Sequence, residues 1–324
     1  SLGLLFQMHW PSRQVETARP ARLSPLHARH VEHNACFGEA VGWERANWFA
    51  PAGVEPRYEY AYGRQNWFDY VRDEHGAVRN TVGLIDMSSF AKYLVQGPDA
   101  ERELQRICAN DVAVANGKVV YTQLLNRRGG IEADLTVTRL AEDRYMVITA
   151  AASQTRDFNW IERNIEDGAR VYLTDTTSGS GVLAVMGPRA RKLLGRVSDA
   201  DFSNEAFPFA SYQEIDVGYA RALALRVTYV GELGWELYLP TEFMVPVFDR
   251  LLEAGADLGL KLCGMHAMDS LRSEKGYRHW GHDITPAETP LEAGLGFAVS
   301  FKKKAAFIGR EALERQLETG LSQR

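Results

Sequence analysis

The sequence predicts an α+β fold: two similar, duplicated strand–helix modules with mostly antiparallel sheets, preceded by an extended linker region. Three observations predict it. Two segments echo each other, "YLVQGPDAERELQRI" (residues 93–107) and "LAVMGPRARKLLGRV" (183–197), each an apolar strand, Gly-Pro, a charged residue, Ala, then apolar residues at helical spacing. Further strands follow each echo: "KVVYTQLLN" and "IEADLTVTRL" after the first, "ARALALRVTYV" and "GWELYLP" after the second. The first 60 or so residues read differently, studded with Pro, Arg and aromatics and without a sustained period.

Composition narrows the function classes. The chain has 324 residues, 45% hydrophobic and 24% charged, which is ordinary for a globular protein. At roughly 100–200 residues per domain, two packed units are expected. The net charge of −5 comes without a basic stripe, so no nucleic acid partner is expected. No segment approaches the ~18 consecutive apolar residues of a membrane span, and no membrane association is expected. Cys36, Cys108 and Cys263 are odd in number and far apart, which favours free thiols in a reducing compartment, cytoplasmic or, in a eukaryote, the mitochondrial matrix. "SLGLLFQMHWPSRQ" has no basic stretch before its apolar start, so no signal peptide is expected. Without an initiator Met, the chain reads as processed or as a piece of something longer.

From the N-terminus, "HWPSRQVETARPARLSPL" reads as an extended strap and "LHARHVEHNACFGEAVGW" as one helix. "ERANWFAPAGVEPRYEYAYGRQNWFDY" reads as a connector whose aromatics suggest docking onto another domain, since each buries a large area. In the two echoes, Gly97 and Gly187 end a strand, and Pro98 and Pro188 supply a fixed φ suited to a first helical turn.

Several chemistries find no support. Gly179-x-Gly181-x-x-Ala184 matches a dinucleotide fingerprint in letters, but that fingerprint needs a helix to start at the turn, and "VLAVMGP" reads as a strand. His27, His30 and His33 form a loose stripe read as surface or docking histidines. His279 and His282 flank "WG" without a Cys or carboxylate at zinc spacing, so no metal is expected. No nucleophile elbow occurs.

Carboxylates on strands remain. In "NRRGGIEADLTVTRL", a hairpin tip at 127–130 pairs Asn126 with Ile131, Gln123 with Asp134 and Tyr121 with Thr136. Tyr121, Gln123, Glu132, Asp134 and Thr136 then share one face, with Ile131, Ala133, Leu135 and Val137 on the other. Pattern alone leaves Asp134 either a solvent-facing carboxylate or the acid of an active site. "TYVGELGWELYLP" puts Tyr229 before a Gly-rich turn, then Trp235, Leu237 and Leu239 on one face and Glu236 and Tyr238 on the other. "AMDSLRSEKGYRHWGHDITP" reads as a helix carrying Asp269, Arg272 and Glu274 that ends near Gly276.

Taken in order, "GLIDMSSFAKYLVQGPDA", "ICANDV", "GKVVYTQLLNRRGGIEADLTV", "LAVMGPRA", "YVGELGWELY", "DSLRSEKGYRHWGHD", "TPLEAGL" and "FIGREAL" resemble the folate-binding part of the glycine-cleavage T protein (aminomethyltransferase) superfamily. Residues 1–75 look like the junction that joins flavin and folate domains in dimethylglycine and sarcosine dehydrogenases. The resemblance implies a junction region over 1–75 packing on a flavin domain, a folate-binding domain over 76–312, and the start of a truncated C-terminal region over 313–324. The family's flavin domain would precede the junction and its C-terminal barrel would follow.

By the same resemblance, Asp134 occupies the position of the family's key acid. Tyr121, Tyr229 and Glu236 fall at pterin contacts, Phe90 and Phe297 at pocket walls, and Thr149 where an Asn is common. Arg272 is counted with the folate contacts, and Met268 stands where the family has an Arg near the folate tail. The implied function is the tetrahydrofolate-binding, one-carbon-accepting portion of a flavin-dependent N-methyl amine dehydrogenase, which forms 5,10-methylenetetrahydrofolate. FAD would enter only with a flavin domain or subunit, and the donor would be a small methylamine. The alternatives are a self-contained tetrahydrofolate-dependent aminomethyltransferase or demethylase, and a non-catalytic folate-fold interaction module.

Overall fold

The structure is a computed structural model that describes residues 13–321. In chain order the elements are β1 (Arg22–Leu23), α1 (His27–Glu32), β2 (Ala35–Ala40), β3 (Trp43–Phe49), α2 (Phe68–Asn80), β4 (Val82–Asp86), β5 (Ala91–Gln96), α3 (Ala100–Ile107), β6 (Val119–Leu125) and β7 (Ile131–Ala141). There follow β8 (Arg144–Thr149), α4 (Gln154–Asn164), β9 (Tyr172–Asp175), β10 (Ser180–Met186), α5 (Ala190–Leu194), β11 (Tyr212–Val217), β12 (Ala220–Leu225), β13 (Gly234–Pro240), α6 (Met244–Gly255), β14 (Leu260–Leu262), α7 (Met265–Glu274) and α8 (Arg310–Thr319). The fold is α+β with predominantly antiparallel pairing.

Two compact units divide these elements. The first comprises the described residues up to Ser89 with Ser178–Phe209 and Gln213–Tyr277; the second comprises Phe90–Thr177, Ala210–Tyr212 and the described residues from Arg278 onward. The first unit holds a six-stranded sheet in the order β11-β12-β13-β10-β4-β14 and a small sheet β1-β3-β2. Its central strands β10 and β13 are buried almost throughout, which is why "SGVLAVM" and "GWELYLP" are nearly continuous apolar runs. Trp235, Leu237 and Leu239 join Leu183, Val185 and Phe248 in its core.

The second unit is built on a five-stranded sheet, β6-β7-β8-β5-β9. One face of that sheet packs Val120, Leu124, Ala133, Leu135, Val137 and Val147 against Leu104 and Ile107 of α3. Those two residues sit three apart on one side of α3, so helical and strand periods meet at a single core.

Both Gly-Pro junctions are built alike. Ala100 N–H donates to Gly97 O at 2.9 Å, and Ala190 N–H donates to Gly187 O at 3.0 Å. Each proline therefore sits second in a turn that precedes the helix rather than in the first helical turn, where the same fixed φ serves. Gly97 and Gly187 have φ of +129° and +132°, and a Cβ there would meet a carbonyl oxygen at 2.1 and 2.6 Å, so both positions require glycine.

The N-terminal region departs from its sequence reading. Part of the expected strap, residues 9–12, lies outside the described residues, as do the last three residues of the C-terminal region. The helix expected over 26–43 covers only His27–Glu32. Asn34 at φ +61° turns the chain, and its Nδ2 donates to the carbonyls of Ala50, Pro51 and Val54. The residues after it form β2, paired from Ala35↔Phe49 to Ala40↔Trp43; long-range pairing overrides local helical preference.

The connector expected from residue 44 begins as β3. Of its aromatics, Trp48 is fully buried inside this unit and stacks on Tyr70 at 5.5 Å, whereas Tyr62 is exposed. Of the histidine stripe, His33 is exposed and His27 half-buried, but His30 departs from the surface reading: it is buried and pairs with Asp86 Oδ2 at 2.9 Å. Burial alone would raise the Asp86 carboxyl, but contacts from His30, Ser24 and Ser88 hold it below the usual range.

The three cysteines are free and buried. Among the described residues, no helix is long and apolar enough to cross a membrane. No group of three or more His, Cys, Asp or Glu is gathered as for a metal ion among them.

One buried carboxylate holds three elements of the first unit together. Glu74 of α2 accepts from the backbone N–H of Phe49 at 2.7 Å and of Gly264 at 2.8 Å, and burial pushes its carboxyl up to about 7. Replacing Glu74 with Ala strips both N–H groups of their acceptor, so urea denaturation should show a loss of about 2–4 kcal/mol. A variant as stable as the parent would show that these bonds do not hold β3 and α7 to α2.

Candidate active site

In the second unit, β6 and β7 pair Tyr121 with Thr136, Gln123 with Asp134 and Leu124 with Ala133, as the sequence predicts. The register then shifts, and Leu125 rather than Asn126 pairs with Ile131. Glu132 is the extra residue of a β-bulge, which bends the strand and turns Ile131 away from the Ala133 face. Ile131 accordingly joins Leu125, Ile284, Leu295 and Phe307 in a separate cluster, against the expectation that it packs with Ala133 and Leu135.

Asp134 sits on the polar face of β7. Its Oδ1 accepts from Gln123 Nε2 at 2.9 Å, and Tyr121 hydrogen-bonds it as well. Although Asp134 keeps some exposure, burial of its carboxyl pushes it up to about 6, with the bonds from Tyr121 and Gln123 holding it down. Gln123 is wholly buried, and its Oε1 has no hydrogen-bond partner among the described residues. An acceptor left without a partner costs stability unless something donates to it. Beside this group, Tyr121 and the exposed Phe297 form a tilted aromatic pair with centroids 6.0 Å apart.

Thr149, at the end of β8, is buried and donates its hydroxyl to Asp157 Oδ2 of α4 at 2.5 Å. Burial raises Asp157 to about 6, opposed by Thr149 and Arg156. Phe90, just before β5, is partly exposed, and its carbonyl accepts from the buried Lys92 Nζ at 2.8 Å.

The remaining predicted residues lie in the first unit. Glu236 on β13 is buried, accepts from Tyr238 Oη at 2.6 Å, and is raised by burial against that bond. Tyr229, on the loop before β13, stacks on Tyr277 with centroids 6.3 Å apart. Arg272 of α7 is buried, bonds Asp269 at 2.6 and 2.7 Å, and donates to Tyr277 O at 3.2 Å. Met268 packs in the same helix.

Three residues that hold Asp134 or the bulge before it were not singled out in the sequence as site residues. Gln123 had a readable signal, a polar side chain within an apolar strand run and directly opposite an acid. Arg156 and Trp280 had none, because neither is near Asp134 in sequence.

The fold and the polar hairpin face define a class, the aminomethyltransferase-like α+β proteins. Residues 26–303 match the GCVT N-terminal domain, and the chain belongs to that family. It is 49% identical over 312 residues to the 4-methylaminobutanoate oxidase (formaldehyde-forming) of Paenarthrobacter nicotinovorans, over 96% of this chain and 38% of that protein. It is 36% identical over 357 aligned positions to the mitochondrial sarcosine dehydrogenase of Homo sapiens, over 98% of this chain and 39% of that protein. The chain thus spans well under half the length of these curated relatives. Among solved structures, the glycine cleavage system aminomethyltransferase T from Bartonella henselae matches with a TM-score of 0.78 at 30% identity, over 93% of this chain and 76% of that one.

The raised Asp134 carboxyl has a stability consequence. Its folded value of about 6 lies above the ordinary 3.8, so the folded state favours the protonated form. Stability from this group is fully present below about 3.8 and is lost as pH rises through about 6. Asp134→Asn should therefore be more stable than the parent at pH 7.5 by about 1–2 kcal/mol, after discounting for solvent screening, or about 3 °C in Tm. The gain should shrink toward zero near pH 4 when melting is followed across pH. A pH-independent difference would contradict the assigned environment.

Proposed function

We propose that this chain is the tetrahydrofolate-binding, one-carbon-accepting part of a flavin-dependent N-methyl amine dehydrogenase, forming 5,10-methylenetetrahydrofolate from the oxidised methyl group. The observation that carries the reading is the Asp134 carboxyl, poised near neutrality beside the partnerless Gln123 Oε1 and the Tyr121–Phe297 pair. The names of its relatives, an oxidase and a dehydrogenase of N-methylated amines and an aminomethyltransferase, support the same reading.

The residues of the second unit fit a reduced folate. Its flat heterocycle and aminobenzoyl ring offer N–H donors and π-faces. Gln123 Oε1 is free to accept one such N–H, and Tyr121 and Phe297 present aromatic surface. When bound, tetrahydrofolate supplies two nitrogens that take up a one-carbon unit. Asp134 holds a proton acceptor where ring closure must release a proton, and a value of about 6 leaves it mostly ionised near neutral pH yet readily protonated. Gln123 and Tyr121 keep that carboxylate oriented, so little reorganisation accompanies proton transfer. Phe90 and Thr149 are proposed as further folate contacts of the second unit.

The chain's residues do not fit FAD. The one glycine pattern of dinucleotide type, Gly179-x-Gly181, runs into strand β10 and offers no helix N-terminus to a pyrophosphate. In this reading FAD belongs to a flavin domain or subunit that acts with the chain, and that partner sets the choice of methylamine donor.

The test is Asp134→Asn and Asp134→Ala. Methylenetetrahydrofolate formation from formaldehyde, corrected for the uncatalysed reaction, should fall by about 10²-fold or more. Tetrahydrofolate affinity should change by less than about threefold. The parent rate should fall as pH drops through about 6, when Asp134 takes up its proton. Unchanged product formation in the Asn variant would overturn the role of Asp134.

A further inference from the structure

At the bulge that precedes Asp134, the backbone carbonyls of Ile131 and Glu132 are each held by a side chain from a distant stretch of the second unit. Arg156 of α4 donates through Nη1 to the Glu132 carbonyl and through Nη2 to Glu132 Oε2. Trp280 donates its indole Nε1–H to the Ile131 carbonyl at 2.8 Å. The two side chains also stack, with the Arg156 guanidinium 4.0 Å from the Trp280 ring centroid. On the opposite flank, Asn126 Nδ2 donates to Glu132 Oε1 at 3.0 Å.

A strand pairing can slip by one residue, and a slip moves every side chain to the other face. In a slipped β7, Asp134 would turn toward the apolar side that carries Ala133 and Leu135 and would lose Gln123. The extra residue is stable only while its unpaired groups have partners. Arg156 is suited to this because its planar guanidinium presents separate N–H donors in a fixed fork to a carbonyl and a carboxylate at once.

We propose that Arg156, braced by Trp280, is a positioning residue that pins the Ile131–Glu132 bulge and thereby holds Asp134 on the polar face of β7. The inference rests on the reading of Asp134 as the proton acceptor. Neither residue touches Asp134 itself, so the effect on turnover runs through register and not through direct contact with the reacting atoms.

The experiment measures methylenetetrahydrofolate formation and tetrahydrofolate affinity on the full chain, in Arg156→Ala, Arg156→Lys, Trp280→Phe and Asp134→Asn. Arg156→Ala should lose on the order of 30- to 100-fold in turnover, the effect of a misplaced catalytic group. Tetrahydrofolate Kd should move by less than about threefold, a split that general destabilisation would not produce. Arg156→Lys should recover part of the loss, since one charge-assisted bond survives. Trp280→Phe, which keeps the ring and loses the N–H, should fall by about fivefold, one hydrogen bond's worth. If Arg156→Ala does not fold, the Lys and Phe variants decide. Asp134→Asn inactive while these Arg156 and Trp280 variants turn over like the parent would overturn the inference and leave the functional reading standing. A parent chain that shows no folate-dependent turnover, or an Asp134→Asn variant as active as the parent, would overturn both.

Discussion

A one-residue offset between β6 and β7 decides which face of the second unit's sheet carries a carboxylate. Below the offset, Leu125 meets Ile131; above it, Gln123 meets Asp134. The apolar core is insensitive to the distinction as far as Leu124 and Ala133, but the chemistry is not, because strand side chains alternate and a carboxylate has one useful side. The offset in turn depends on Arg156 and Trp280, far away in sequence, which satisfy the bulge's carbonyls, and on the nearby Asn126, which holds the Glu132 side chain with Arg156. Gly130 contributes too: a Cβ there would meet the Pro286 carbonyl oxygen at 2.0 Å, so the hairpin can approach that segment only with glycine.

Within each unit, an acid on a strand is held by neighbouring side-chain donors and shifted upward by its surroundings. Asp134 has Gln123 directly across the ladder, whereas Glu236 has Tyr238 two residues along the same strand. In both, burial opposes the charge and side-chain donors limit the shift, Tyr121 and Gln123 for Asp134 and Tyr238 for Glu236. A carboxyl near 6 is matched to proton transfer near neutral pH, while an ordinary surface Asp would be too weak a base. Such shifts recur at functional sites because the burial that creates them would otherwise be selected against as a stability cost.

Much of this was legible in the sequence. The two Gly-Pro junctions, the alternation of β7 and the Gln123–Asp134 register followed from local patterns, because turn chemistry and period-two alternation are set by neighbouring residues. The errors share a physical origin in long-range partners. Residues 26–43 have helical spacing, yet pairing with β3 and the left-handed Asn34 end the helix at Glu32. His30 resembled a surface residue until Asp86, 56 positions away, supplied its partner. Ile131 changed face because the bulge is stabilised by Arg156 and Trp280, and no local window contains all three. The proposed site residues of the first unit came from resemblance to a family; spacing alone did not mark Tyr229 or Arg272 as more than a loop aromatic and a helix ion pair.

The central claim is that the bulge holds Asp134 in a partly desolvated position opposite Gln123. The most direct measurement is the titration of the Asp134 side-chain carbon by NMR in protein labelled at aspartate, with Asp134→Asn to assign the signal. A midpoint near 6 is expected. A midpoint near the ordinary 3.8 would contradict the account, since it would place the carboxyl in open solvent whatever the register of the strand.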